Sequence, residues 1–170
     1  MEKSSLEKYS FCFEPIFSSY KNSPNYFLQT VEKIVKEFEK FNGPVNHMVG
    51  THCLYNLPRE KLIPLLKIPS SDSVSAYYDF SPVPEFRIIV LDSCDVSAIG
   101  WPKDHPVTLA SMELLRVKNP NDDKNSPRGL VGLERRFVMF NGAFGKKQLQ
   151  WLDEVLRDST QKHQNVIICC

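Results

Sequence analysis

Between Asn25 and Phe41 the apolar residues Phe27, Val31, Ile34, Val35, Phe38 and Phe41 recur at three- and four-residue steps. That is the spacing of one buried helical stripe. Ser23 with Pro24 at the first turn opens this helix, and Asn42-Gly43-Pro44 stops it. Val45–Val49 then reads as a short strand ending on Gly50. Pro58 opens a short helix to about Leu66, with Pro64 near its end, and Ser70–Ser75 is a polar loop. Strands are predicted over Ala76–Phe80 and Phe86–Leu91. Within the second, Ile88–Leu91 is apolar without alternation, the pattern of an inner strand covered on both faces. A helix over Pro106–Val117 would turn Val107, Ala110, Leu114 and Val117 to the core. Residues 118–132 are loop, rich in Asn, Asp, Pro and Gly. Lys146–Asp158 forms a third helix carrying Leu149, Leu152, Val155 and Leu156, and Val166–Cys169 is a last apolar run that reads as a buried strand. Helices alternating with buried strands give an α/β class with a largely parallel sheet, in one domain without internal repeats.

Composition keeps this picture and removes others. With 170 residues, 42% apolar and 24% charged, the chain has globular composition. A chain of this size buries roughly 70% of the surface its unfolded form exposes, so a sizeable core is within reach. Lys and Arg number 21 against 20 Asp and Glu, a net charge of +1. Such a balance drives the chain onto neither nucleic acid nor an anionic membrane, while a local site for a phosphorylated small molecule stays open. No uncharged run approaches the roughly 18 residues that span a bilayer, and the first residues lack the apolar stretch of a signal peptide. Cys12, Cys53, Cys94, Cys169 and Cys170 are scattered and form no C-x-x-C pair. The expectation is a reduced, cytoplasmic protein. Cys169-Cys170 follows an apolar run instead of the flexible polar tail that a lipidation signal carries.

Few residues suggest chemistry on their own. His52 follows a strand and a glycine, in a turn that can present its ring as acid, base or phosphate donor. The plainer reading is a histidine hydrogen-bonded in a loop. Asp92 and Asp95 stand three apart after a strand; they could hold a hard cation, and the preferred reading is that they cap the next turn. His52, Cys53, Asp92 and Cys94 lack the spacing of a zinc site. His47 lies inside a strand and reads as structural, Asn141-Gly142 is a turn signal, and Arg135-Arg136 and Lys146-Lys147 are solvated charge.

At Val49-Gly-Thr-His-Cys-Leu-Tyr-Asn56 the sequence becomes specific. EFEKFNGPV precedes it; HCLYNLPREKLIPLLKIP, YYDFSPVPEFR, VLDSCDVSAIGWPKDHP, NPNDDKNSPRGL, GLERRFVMFNGAFGKKQLQWLDEVL and NVIICC follow. On these stretches, over residues 27–170, the chain resembles calcineurin-like metallophosphoesterases. The resemblance is strongest to the plant-type manganese-dependent ADP-ribose/CDP-alcohol diphosphatases. Residues 1–26 carry no such likeness. The resemblance implies a partial metallophosphoesterase fold, a β-sandwich core flanked by helices with an incomplete sheet. Residues 27–170 would be the central part of that domain, truncated at both ends.

The same resemblance implies hydrolysis of the diphosphate linkage in ADP-ribose and in CDP-alcohols of the CDP-choline and CDP-glycerol type. A dinuclear Mn2+ centre would bridge a hydroxide and stabilise the in-line transition state. Of the family's ligand motifs only Gly-Asn-His falls within this chain, as Gly50-Thr51-His52. Thr51 stands where the family has a metal-binding Asn, and its hydroxyl is a shorter, weaker ligand than an amide oxygen. His52 matches the catalytic histidine that protonates or stabilises the leaving side. Tyr55, Asn56, Asp92, Asp95 and Asn141 are the candidates for substrate contact. The dinuclear centre is not expected to survive on so few ligands, so the chain by itself is expected to be inactive. It would be a monomer acting on a small nucleotide conjugate, without nucleic acid or membrane. The alternatives are a non-catalytic nucleotide-binding or interaction module, or an unstable truncation product with exposed apolar edges.

Overall fold

The computed structural model describes residues 24–170, so the predicted cap Ser23, together with Cys12, lies outside the described residues. Helix α1 spans Pro24–Phe38 and buries Val31 and Val35. Ile34, expected on the same stripe, is 49% exposed. The predicted strand Val45–Val49 is extended but makes only an isolated bridge, at His47. Among the described residues no strand pairs with it, and a single bridge makes no ladder. Its place is held by side chains: Val49 sits in the core, and the Tyr78 hydroxyl donates to the His47 carbonyl at 2.7 Å. Burial pushes that hydroxyl up to about 12.

Gly50 adopts an extended conformation and caps a helix, α2 (Thr51–Asn56), where a turn was expected. Pro58 then caps α3 (Arg59–Leu65). Strand β1 (Tyr78–Val83) starts two residues later than predicted; β2 (Phe86–Val90) and β5 (Asn165–Cys169) lie close to the apolar runs that announced them. Between them come β3 (Val96–Ser97), α4 (Pro106–Lys118), a 3-10 turn over Gly132–Arg136, β4 (Gly142–Ala143) and α5 (Lys146–Gln161).

The main sheet has the order β1-β2-β5 and is mixed, not largely parallel. β1 and β2 are antiparallel because only a tight reversal joins them. β5 returns parallel to β2, with α4 and α5 between them in the chain. β3 and β4 form a separate antiparallel pair. There Gly142 is required by space, since a Cβ would lie 2.3 Å from the Ser93 carbonyl oxygen.

The continuous apolar run of β2 is covered on both faces, as its pattern predicted. Ile88 and Val90 join α1, α2 and α3 in one cluster with Val31, Leu54, Leu57 and Leu62. Ile89 and Leu91 join Val155 of α5 in the other, with Trp151, Leu152 and Leu156 packed around them. The two outer helices depart from expectation. In α4 the inward stripe is Thr108, Ser111 and Leu115, while Leu114 and Val117 are 49% and 65% exposed. Polar anchors set that rotation: Thr108 donates to the Pro102 carbonyl, and Asn119 just past the helix donates to the Phe137 carbonyl, each at 2.8 Å. In α5 the fully buried positions are Gln148, Val155 and Ser159, and Leu149 is 48% exposed. No helix among the described residues is long and apolar enough to cross a membrane.

Candidate functional site

The start of α2 and the segment following β2 meet at one end of the sheet. Thr51 Oγ1 lies 3.9 Å from Cys94 Sγ, which brings Gly50-Thr51-His52 beside Leu91–Asp95. Cys94 is buried, and that burial raises its thiol pKa, which disfavours the thiolate.

Beneath this junction lies a buried polar hub. Arg59 and Asp92 are each 1% exposed and form a two-pronged ion pair, Arg59 Nη1 to Asp92 Oδ2 and Nη2 to Oδ1. Arg59 Nη2 also donates to the Cys94 carbonyl, and the Trp101 ring covers the guanidinium at 4.7 Å. Asp92 Oδ1 accepts from the Cys94 backbone N–H at 3.0 Å, the turn cap expected of it. Gln148 of α5 clamps the same turn from the other side. Its Oε1 accepts from the Asp92 N–H at 2.8 Å, and its Nε2 donates to the Asp92 carbonyl and to Asp95 Oδ2 at 3.1 Å each. Asp95 Oδ2 also accepts from the Gly145 N–H at 3.0 Å, just before α5 begins. Both aspartates therefore serve to lock α3, β2 and α5 together.

The remaining candidates face outward. His52 is exposed, and its carbonyl accepts from Asn56 Nδ2 at 2.7 Å. Tyr55, three residues along α2 and so on the same side as His52, is 52% exposed. Its ring rests against Phe140 at 4.9 Å between centroids. Next in the chain, Asn141 is committed to its loop: its amide donates to the Arg136 carbonyl at 3.0 Å, and its carbonyl accepts from Ser97 Oγ at 3.2 Å. Sequence reasoning missed Arg59 and Gln148, because long polar residues are rarely fully buried and nothing local marks these two. A groove of about 470 Å³ elsewhere is lined by Val35, Phe38, Phe41, Val45, His47 and Lys67, not by Thr51 or His52.

Manganese chemistry needs several oxygen and nitrogen donors converging on each ion. Among the described residues no three His, Cys, Asp or Glu side chains form a group that could hold a metal ion. Near the junction, Thr51 and His52 are adjacent, while Asp92 and Asp95 are engaged by Arg59, Gln148 and Gly145. This donor set does not fit a dinuclear centre.

Comparison with known proteins gives a consistent result. No family model matches the chain. It is 62% identical over 142 residues to the manganese-dependent ADP-ribose/CDP-alcohol diphosphatase of Arabidopsis thaliana, covering 84% of this chain and 45% of that protein. Against the protein of the same name from Oryza sativa subsp. japonica the identity is 59% over 162 residues, 95% of this chain and 50% of the other. That match necessarily takes in part of the segment before Phe27. The Homo sapiens counterpart is 35% identical over 90% of this chain and 48% of its own length. A crystal structure of a dimetal phosphatase from Danio rerio superposes with a TM-score of 0.71 at 35% identity, over 82% of this chain and 46% of that one. The α/β, metallophosphoesterase-like fold is thereby established, and the chain spans about half the length of the curated relatives it matches.

Proposed function

We propose that this chain, a homologue of the manganese-dependent ADP-ribose/CDP-alcohol diphosphatases, is part of a hydrolase that cleaves the diphosphate linkage of ADP-ribose and CDP-alcohols, and that it does not catalyse this reaction alone. The observation that carries the first half is the 62% identity to a relative bearing that name. The second half rests on the donor set, since Thr51 and His52 cannot hold two cations. Residues 27–170 supply one portion of the metallophosphoesterase domain. In that portion His52, exposed at the mouth of α2, is the group that donates a proton to the leaving oxygen or stabilises it. Thr51 occupies a position for a metal ligand. Tyr55, backed by Phe140, offers an aromatic face to a nucleotide base, and Asn56 and Asn141 frame the same end. Asp92 and Asp95 hold the frame through Arg59, Gln148 and Gly145. The near-neutral charge supports a small-molecule substrate over nucleic acid or a membrane; a monomer is the reading carried over from the resemblance, and a cytoplasmic protein the one carried over from the scattered cysteines.

The test is incubation of the purified chain with ADP-ribose or CDP-choline and Mn2+, following nucleotide release by chromatography. The expected rate does not exceed that of Mn2+ alone. Turnover that disappears in His52→Ala would overturn the inactive reading. A second reading, a nucleotide-binding module without turnover, is favoured by the exposed Tyr55 ring backed by half-buried Phe140. Saturable calorimetric binding of ADP-ribose, lost in Tyr55→Ala, would select it.

A further inference from the structure

The groove beside α1 combines apolar walls with a few converging polar groups, the make-up of a small-molecule site. Val35 and Phe38 of α1 form one side, and Phe41 and Val45 come from the turn and extended segment that follow. Gly43 shapes the turn, because the Phe41 ring folds across it with Cε1 only 2.5 Å from where a β-carbon would stand. The volume, about 470 Å³, is that of a pocket for a one- or two-ring molecule. His47, Lys67 and Glu39 reach the same space. The His47 ring is half-buried and stands edge-on to Phe38, with 5.5 Å between centroids and 79° between planes. Its nitrogens make no hydrogen bond within the described residues. Lys67 follows α3 at a φ of 52°, a left-handed position that glycine fills with less strain.

Charge selects the occupant. Lys67 Nζ meets Glu39 Oε1 at 2.6 Å, but the two side chains are 69% and 49% exposed, and such a pair is weak and readily exchanged. Lys36 also acts on Glu39, so two lysines stand against the one carboxylate among the described residues that line the groove. Around His47 the ionisable groups are Lys67 after α3, Glu39 after α1 and Tyr78 of β1, whose hydroxyl is committed to the His47 carbonyl. We propose that this groove binds a small aromatic carboxylate, its ring against Phe38 and Phe41 and its charge drawn to Lys67 and His47. A cationic ligand would meet both lysines. Burial, and then Lys67, hold the His47 imidazole below its ordinary 6.5. A carboxylate beside it favours the protonated ring, so binding takes up a proton and strengthens as the pH falls. The inference concerns binding alone and does not rest on hydrolysis.

The experiment titrates the full chain with 1-naphthoate and, in parallel, with the matching amine, 1-naphthylmethylamine. Calorimetry gives the affinity, and amide chemical shifts give the location. The expected result is saturable binding of the carboxylate with a Kd of about 1 mM or tighter, shifts centred on residues 38–47 and 67, and weaker binding of the amine. Binding should be about fivefold tighter at pH 6.0 than at pH 7.5, and His47→Gln should remove that dependence. Lys67→Gly should weaken binding roughly tenfold. Its melting temperature should not fall, because glycine takes the left-handed conformation without a β-carbon, so lost binding cannot be ascribed to unfolding. No saturable binding, shifts centred elsewhere, equal or tighter binding of the amine, or a Lys67→Gly chain that binds like the parent would each overturn the proposal. None of these readouts depends on turnover, so failure of the proposed hydrolysis leaves the test intact.

Discussion

Replacing Asp92 by alanine removes one partner of an ion pair in which both side chains are 1% exposed. Breaking such a pair leaves an uncompensated buried guanidinium, which typically costs about 3–5 kcal/mol. The Cys94 backbone N–H that donates to Asp92 Oδ1 also loses its acceptor, so the upper part of that range applies. Against a total stability on the order of 5–15 kcal/mol, the loss is large. For a domain of this size it corresponds to a fall in melting temperature of roughly 6–20 °C. Urea unfolding followed by tryptophan fluorescence measures it well, because Trp101 lies over the Arg59 guanidinium and reports the hub directly. Far-ultraviolet circular dichroism gives the global transition. Arg59→Met should cost a similar amount, whereas Arg59→Met combined with Asp92→Leu should cost clearly less than the sum, since no charge is then left buried. A cost below about 1 kcal/mol for Asp92→Ala, or strict additivity in the double variant, would refute the hub as described.

Gly142→Ala should destabilise by about 1–3 kcal/mol in thermal melts, because the new methyl meets the Ser93 carbonyl and the Cys94 Cα, backbone atoms that cannot swing aside. His52→Ala should leave the urea midpoint within about 0.5 kcal/mol of the parent, since the side chain is exposed; a larger loss would give His52 a structural role. Burial of His47, aided by Lys67, lowers its pKa below the ordinary value of 6.5. The unfolded chain therefore binds this proton before the folded one does. Stability should be full above about pH 6.5 and should fall as the pH drops from there toward the lowered folded value. Urea midpoints at pH 7.5 and 5.5 measure that slope, and His47→Gln should flatten it.

Much of the fold was legible because it rests on local rules. A 3.6-residue stripe with proline at its start marked α1, proline and glycine placed the helix boundaries, and the unbroken apolar run of β2 announced a strand with a layer on each side. The motif stretches pointed to the family, since they record ancestry and need no geometry. At the candidate site the residue types were legible, but their surroundings were not. His52 and Tyr55 lie on one outward face because a helix, not a turn, follows Gly50.

Other features were decided only when distant parts of the chain met. Arg59 and Asp92 are separated by 33 positions, and Gln148 stands 56 beyond Asp92. No local pattern can say that an arginine, an aspartate and a glutamine will share one dry site. A charged group is buried when partners arrive to replace its water, and those partners are tertiary. The same holds for α4, whose apolar stripe predicted one inward face while hydrogen bonds to the Pro102 and Phe137 carbonyls turned in another. By itself, then, the amino-acid sequence determined the long helices, the strands of the main sheet and the kinship. The tertiary structure alone decided which aspartates are scaffold, which helix face is bare, and that β5, with the composition of an interior strand, stands at the edge of the sheet that the described residues form.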